Sequence, residues 1–491
     1  MFDFLDLSHW SLLLKLYNFS FRTAILPSAW KDTRMILLAK KESICLPSAT
    51  RLNSLIDSFL KIGEKLFLHR FRDVLFRRGL LPEQQSGFRP CFRLQTRLLL
   101  FLDELQSLLS NSSPVCTLFI DYKSAFDRIW HEGCVGKLLR LGIPPAYTNW
   151  ISAWLKNRRC YIEINGSNSR WFSVGRGGPQ GSVITPSLFI SYHCDLSLFL
   201  SNCSSHIFAD DVAVILSGNI GTRYAEQCLE LERQTKKLID QLEVYSLLTD
   251  QPLNYSKTEA MFSTRAIGLP KFNVKFSGGD GNDLNWAADF KYLGYVISRK
   301  MGWDKFIKFT EVKVRKRIAL IKSFKIFGCS SVKLRKTLFY SYILPIFTWI
   351  YPIYPLLTPK QRNDLSHFYY TSLRRCLFCL QWNNDFFSFA IDELSLEDRC
   401  LAYWNRYFSF LSDSVDGKLL LEQANHSIYR ASWLNREFSI RGLRKSKRYI
   451  PYQSIIGRVS EWISSVPQYS SVPYFDINDI ELLQHFPESF C

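Results

Sequence analysis

Three aspartates stand out by their setting. Asp121 closes the apolar run Val115–Ile120 (VCTLFI), and Asp210 and Asp211 sit inside HIFADDVAVI, a second apolar stretch. An adjacent Asp pair is ordinary by itself, since about one arises by chance in a chain of this length at average composition. Asp in a hairpin turn is also ordinary turn chemistry. What separates these sites is that both interrupt strand-like runs, so their side chains emerge from a sheet rather than from a solvated loop. Two neighbouring strands would bring Asp121 and Asp210 within a few ångströms. Two like charges 4 Å apart repel by about 4 kcal/mol at an effective dielectric near 20, so such a pair calls for a cation. Oxygen-only donors favour Mg²⁺ or Mn²⁺. Two such ions about 3.5–4 Å apart lower the pKa of an attacking hydroxyl and neutralise a leaving pyrophosphate, which is the chemistry of nucleotidyl transfer.

The elements around these residues are partly legible. Val115–Ile120 is the length and composition of a buried strand. A helix is expected to follow through Leu141 and to stop at Gly142, with Pro144 and Pro145 behind it. A second helix is expected near Ala146–Lys156, then a hairpin at Asn165-Gly166 between alternating runs. Four glycines fall within Gly175-Arg176-Gly177-Gly178-Pro179-Gln180-Gly181, marking a loop where backbone passes close to a neighbour. No G-x-G-x-x-G opens a helix there, so a dinucleotide loop is a poor alternative. HIFADDVAVIL reads as a hairpin with Asp210 and Asp211 at its turn. Cys228, Leu231, Thr235, Leu238, Leu242 and Tyr245 then recur at helical spacing, a stripe too brief for a zipper and suited to packing on a sheet. Strand-like and helix-like runs alternate in the first half and the second half reads mostly helical, so the expected class is α+β followed by a helical region.

Charge narrows the partners. The 491 residues carry a net charge of +18, with 15% aromatics. Cations bind phosphate and rings stack on bases, which suits nucleic acid, although a membrane surface would suit the same composition. Between Arg299 and Lys336, thirteen Lys or Arg stand against Asp304 and Glu311 alone. So one-sided a segment suits a nucleic-acid cradle better than a solvated face. The 13 cysteines follow no repeating frame and read as reduced thiols of an intracellular protein. Cys376/Cys379 has the C-x-x-C spacing but no second ligand pair, so it reads as one apolar helix face. Leu338–Leu357 is long enough to span a membrane, but Pro345, Pro352 and Pro355 would break the helix, and no membrane role is expected.

In order along more than half the chain, from about Trp30 to Ile307, a series of segments resembles the reverse transcriptases of non-LTR (LINE-type, jockey-like) retrotransposons. AWKDTRMILLAKKE and ATRLNSLIDSFLKIGEKL are similar to the family's finger segments, and LPEQQSGFRPCFRLQT to its Gln-x-Gly-Phe-Arg segment. LFIDYKSAFDRIWH, GGPQGSVITPSLF, FADD, LNYSKTEAMF and FKYLGYVIS resemble its successive palm motifs. The sequence departs from the pattern at Leu52-Asn53, where Pro-Ile is usual, and at Phe208, Ile184, Thr185, Ser191 and Cys194. None of these changes removes an acidic residue. The Gln-x-Gly-Phe-Arg segment, and the absence of a maturase-type finger string, argue against a group II intron maturase or a telomerase-like enzyme.

The resemblance implies roles position by position. Asp121 and Asp210 would hold two Mg²⁺ (or Mn²⁺), with Asp211 their neighbouring carboxylate. Phe126 would exclude a 2′-hydroxyl and so select deoxynucleotides. Gln180 and Gly181 would approach the incoming base and template. Lys40 and Arg51 would contact the triphosphate, and Lys257 would protonate departing pyrophosphate. Taken as isolated residues, Phe126 reads as core and Lys40, Arg51 and Lys257 as solvated cations. The implied architecture is a right-hand polymerase: fingers at 20–110, a palm with a small antiparallel sheet at 111–300, a helical thumb at 301–410 and a helical tail at 411–491. Arg441–Arg448 (RGLRKSKR) in that tail reads as a nuclear signal, as an RNA-binding patch or, equally well, as solvated charge. The implied partners are an RNA template, a DNA primer and dNTPs, in the nucleus or cytoplasm. Family members often carry an endonuclease before the fingers, so the chain is expected to be part of a longer element or to rely on a separate nuclease. The contrasting possibility is a catalytically inactive nucleic-acid-binding scaffold on the same fold.

Overall fold

The computed structural model describes residues 5–39, 50–110, 113–200, 203–218, 222–264, 270–278, 282–323, 331–377, 383, 393–422 and 454–466. The chain divides into two compact units. Met1–Leu94, Cys116–Met261 and Gly268–Trp286 make the first, and Gln95–Val115, Phe262–Ile267 and Ala287–Cys491 the second. The strands are β1 (Asp32–Ala39), β2 (Thr50–Leu55), β3 (Val115–Ile120), β4 (Arg158–Ile164), β5 (Ser167–Asn168), β6 (Phe172–Val174), β7 (Ser204–Phe208), β8 (Asp211–Ser217), β9 (Glu259–Ser263), β10 (Asn285–Trp286), β11 (Asp289–Tyr292) and β12 (Tyr295–Ser298).

In the first unit one sheet runs β2-β1-β4-β5, with β6 also on β4. β1 is antiparallel to β2 and parallel to β4. The Asn165-Gly166 hairpin forms as expected, pairing Ile164 with Ser167. The second sheet runs β10-β9-β3-β8-β7 and is the one that carries the acidic residues. Every residue of β3 is buried, as its mostly apolar run requires, Thr117 included. The helix Tyr224–Thr249 turns Cys228, Leu231, Thr235, Leu238, Leu242 and Tyr245 inward, and Thr235 Oγ1 meets Cys116 Sγ of β3 at 3.4 Å. The stripe therefore packs on the sheet. Farther out, the helix Ser58–Arg77 starts at the cap Asp57, whose carboxylate accepts from the Phe59 and Leu60 amides. Its Phe67 stacks on Trp150 of the helix Pro145–Leu155, with ring centroids 4.1 Å apart.

Two expectations need correction. The helix after β3 starts only at His131 and runs to Arg140, preceded by a 3₁₀ turn at Ala125–Arg128. The intervening backbone is committed elsewhere: Lys123 N–H donates to Pro252 O, and the Phe126 and Ile129 carbonyls accept from Gly178 and Gly177. At the acidic hairpin, Asp211 is not in the turn. Strand pairing persists to Phe208 with Asp211, so Ala209 and Asp210 alone make the turn, Ala209 with φ of +61°.

The second unit is mainly helical, with one antiparallel hairpin of β11 and β12. Its helices include Leu94–Ser110, Asp304–Ser323, Pro359–Leu377, Leu396–Asp413 and Ile455–Ser465. Tyr295 stacks between Phe306 and Trp349, and Trp404 Nε1 donates to Tyr351 O at 2.7 Å. The Leu338–Leu357 stretch breaks into short pieces, a π-helical turn Phe339–Ile343, a helix Leu344–Thr348 and a 3₁₀ turn Tyr354–Leu356. No helix among the described residues is long and apolar enough to cross a membrane. Cys376 is buried within Pro359–Leu377; Cys379 and Arg441–Arg448 lie outside the described residues. The nine cysteines among the described residues are free.

Candidate active site

Sheet order decides the site. Asp121 leaves the end of β3, and β8 lies beside β3, so the β7–β8 turn brings Asp210 toward it. Burial pushes the Asp210 carboxyl above the ordinary range. The nearby charge of Asp121 adds to that rise, while its own backbone amide and the Arg51 guanidinium oppose it. The Asp121 charge and that of Arg51, exposed on β2, thus both lie near enough to act on Asp210. Asp211, first residue of β8, is exposed.

Asp121 is held by the segment Pro252–Thr258. Asn254 Nδ2 donates to Asp121 Oδ2 at 2.7 Å, and the Asn254 amide donates to Asp121 O at 2.8 Å. The Asp121 amide donates to Thr258 Oγ1 at 3.3 Å. Lys257 Nζ lies 3.7 Å from Asp121 Oδ2 and stays largely solvated. Asn254 was not among the candidates read from the sequence. Its signal was one residue type, an amide three positions before Lys257, and nothing local showed that it faces Asp121.

A second cluster forms around the glycine-rich loop. Gln180 Nε2 donates to Asp127 Oδ1 at 2.7 Å, and the Ser54 amide of β2 donates to Gln180 O at 2.6 Å. Gly181 has φ of +131°, and a Cβ there would collide with the Ser54 carbonyl oxygen. The loop continues onto Glu64, a fully buried carboxylate of the helix Ser58–Arg77. Glu64 accepts from Ser182 Oγ (2.7 Å), the Val183 amide (3.1 Å) and Trp154 Nε1 (2.9 Å). Burial raises its pKa, and those bonds and the Arg158 charge oppose the rise. Phe126 is half-buried against Phe189 and Phe88, at centroid distances of 4.5 and 6.1 Å. The structure therefore brings Asp121, Asp210, Arg51 and Lys257 into one neighbourhood, and Gln180 and Gly181 against β2 and Asp127. Lys40 lies outside the described residues.

Among the described residues no group of three or more His, Cys, Asp or Glu could hold a metal ion. The donor set at Asp121 and Asp210 is instead two carboxylates. That set fits Mg²⁺, which is usually held by one or two carboxylates together with substrate phosphates rather than by an all-protein cage.

The model of the family "Reverse transcriptase (RNA-dependent DNA polymerase)" matches residues 38–297, just over half the chain. The chain belongs to the reverse transcriptase family, and the matched residues fold as mixed helix and sheet. Its relatives include a probable RNA-directed DNA polymerase from transposon BS of Drosophila melanogaster, 24% identical over 63% of this chain and 34% of the relative. The RNA-directed DNA polymerase from mobile element jockey of the same organism is 24% identical over 62% of this chain and 33% of the relative. The probable polymerase from transposon X-element is 29% identical over 57% and 30%. The resemblance to jockey-like elements read from the motifs is thus matched by the relatives. The chain spans about a third of the length of these curated relatives.

Proposed function

We propose that the chain is the polymerase portion of a non-LTR retrotransposon protein, an RNA-directed DNA polymerase that extends a primer 3′-hydroxyl with dNTPs on an RNA template. The observation that carries this reading is the pair Asp121 and Asp210, set at the ends of neighbouring strands of one sheet and close enough for the Asp121 charge to raise the Asp210 pKa. In this reading residues 20–110 are fingers, 111–300 palm, 301–410 thumb and 411–491 a helical tail. Asp121 and Asp210 hold two Mg²⁺, or Mn²⁺ in its place. Bound there, such ions would supply positive charge to the attacking and leaving oxygens. Asn254 fixes the Asp121 carboxylate so that it presents its free oxygen without reorganising. Asp211 supplies further negative charge at the start of β8.

Phe126, braced by Phe189, stands under the sugar and blocks a 2′-hydroxyl sterically. Gln180 and Gly181 offer a side-chain-poor edge to base and template. Arg51, with Lys40, meets the triphosphate, and Lys257, already beside Asp121, gives a proton to departing pyrophosphate. The nuclease that prepares the primer lies in the rest of a longer element or in a separate protein, and the site of action is intracellular, nuclear or cytoplasmic. The test is primer extension on an RNA template with dNTPs and Mg²⁺. Wild type should extend, and Asp121→Asn and Asp210→Asn should each lose at least about 10³-fold in rate while still binding RNA–DNA hybrid. A near wild-type rate in Asp210→Asn would refute the site. Hybrid binding without extension by wild type would favour the inactive scaffold.

A further inference from the structure

One buried amide acts on the acidic turn from outside both of its strands. Gln84–Gly87 runs beside β7: the Ser86 amide donates to Ile207 O, and the Ile207 amide to Gln84 O, each at 2.9 Å. The pairing then passes from backbone to side chain. The Ala209 amide donates to Gln85 Oε1 at 2.8 Å, and Gln85 Nε2 donates to Ala209 O at 3.2 Å. The Gly87 amide donates to the same Oε1 at 2.8 Å. Gln85 is only 3% exposed.

We propose that Gln85 is a positioning residue for Asp210: its side-chain amide clamps both polar groups of Ala209 and thereby fixes where the next residue presents its carboxylate. The inference rests on the polymerase reading above. Ala209 sits at φ of +61°, a conformation an L-residue holds only at a cost of order 1 kcal/mol. At that φ it is the first residue past the strand ladder, since pairing ends at Phe208 with Asp211. A clamp that satisfies N–H and C=O together selects this one turn conformation. Only a carboxamide of this length offers an acceptor and a donor on one planar group. Glu would keep the acceptor, lose the donor and add a charge beside Asp210; Met would fill the volume and leave three buried backbone groups unpaired. Gly87 completes the fit, because a Cβ there would collide with the Ala209 backbone nitrogen. Displacement of a reacting group by 1 Å costs about 10²-fold in rate, so the clamp acts on catalysis without touching substrate.

The test compares the whole chain as wild type, Gln85→Met, Gly87→Ala and Asp210→Asn on an RNA–DNA hybrid. It measures kcat and KM for dNTP, hybrid affinity, and Mn²⁺ binding by electron paramagnetic resonance. Gln85→Met is expected to lower kcat and Mn²⁺ affinity each by about tenfold or more, with hybrid affinity held within about twofold. Gly87→Ala removes no hydrogen-bonding group, and is expected to move the same two quantities by pushing the turn. It decides the matter if Gln85→Met does not fold. Wild-type kcat and Mn²⁺ affinity in a folded variant, or a loss confined to hybrid binding, overturn the proposal while wild type still extends. If wild type does not extend and its Mn²⁺ binding is unchanged by Asp210→Asn, the polymerase reading has failed and the positioning role falls with it.

Discussion

At the scale of single residues, the site shows how one polar contact sets a carboxylate's orientation. Asn254 donates to Asp121 Oδ2, leaving Oδ1 as the freer oxygen. Asn254→Leu keeps the volume but removes that bond. Extension should slow by about tenfold, equivalent to about 1.4 kcal/mol of transition-state stabilisation, with hybrid affinity unchanged. An unaltered single-turnover rate would mean that Asp121 orients itself. Phe126 makes a different prediction. Phe126→Val shortens the side chain and opens space under the sugar, so discrimination between dNTP and rNTP should fall at least about tenfold, read as the ratio of kcat/KM values. His193 supplies the pH dependence. It is buried among Tyr122, Phe189, Tyr192 and Tyr245, and burial depresses its pKa from 6.5 to about 3. The unfolded chain protonates it below 6.5 and the folded chain does not. Stability from this group is therefore full above that value and is lost as pH falls toward about 3, at up to about 1.4 kcal/mol per pH unit. Glu64 has the opposite sign, since its raised folded pKa gives stability that is full below 4.5 and lost as pH rises through the folded value. Denaturant unfolding of His193→Phe should show a shallower decline on acidification than wild type; parallel curves would remove His193 as the cause.

At the scale of elements, the glycine-rich loop is positioned from below and from the side. Glu64 anchors its end through two hydrogen bonds, from Ser182 Oγ and the Val183 amide, is itself held by Trp154 Nε1, and β2 receives Gln180. Glu64→Ala leaves those donors and the nearby Arg158 without their acceptor, and should cost about 3 kcal/mol. Thermal or denaturant unfolding checks this. Glu64→Gln retains an acceptor oxygen and should recover part of the loss, which a simple cavity would not show. In the acidic hairpin and β3, burial and register fix which residues reach the sheet's end, and Gln85 and Asn254 then hold those end residues.

At the scale of the whole molecule, charge is distributed unevenly. Lys308, Lys316 and Lys322 are exposed on the helix Asp304–Ser323 of the second unit. If that helix meets the phosphate backbone, each lysine neutralised there releases counterions. Replacing all three with Gln should reduce the slope of log affinity against log salt by about two to three, and weaken binding uniformly across sequences. A slope equal to wild type in fluorescence anisotropy would place the nucleic acid elsewhere. The chain's length relative to its relatives adds a second point at this scale. At about a third of their length, it carries the residues matched by the family model, 38–297, and a helical region beyond them.

The local elements and the kinds of chemistry were legible in the order of residues. A mostly apolar run made β3, helical spacing made the stripe of Tyr224–Thr249, Asn165-Gly166 made a hairpin, and three prolines denied a membrane helix. These are decided by nearest neighbours and by period, so they can be read in one dimension. The motif order likewise carried the family. Tertiary structure alone decided how the turn at Asp210 is drawn, which residues hold it and where the helix after β3 begins. Asn254, Glu64 and Gln85 are polar side chains whose partners lie far along the chain. Their worth comes from burial and from the one acceptor or donor that folding places in front of them. The late start of the helix at His131 has the same origin, because its expected first turns give their carbonyls to the glycine-rich loop instead of to one another.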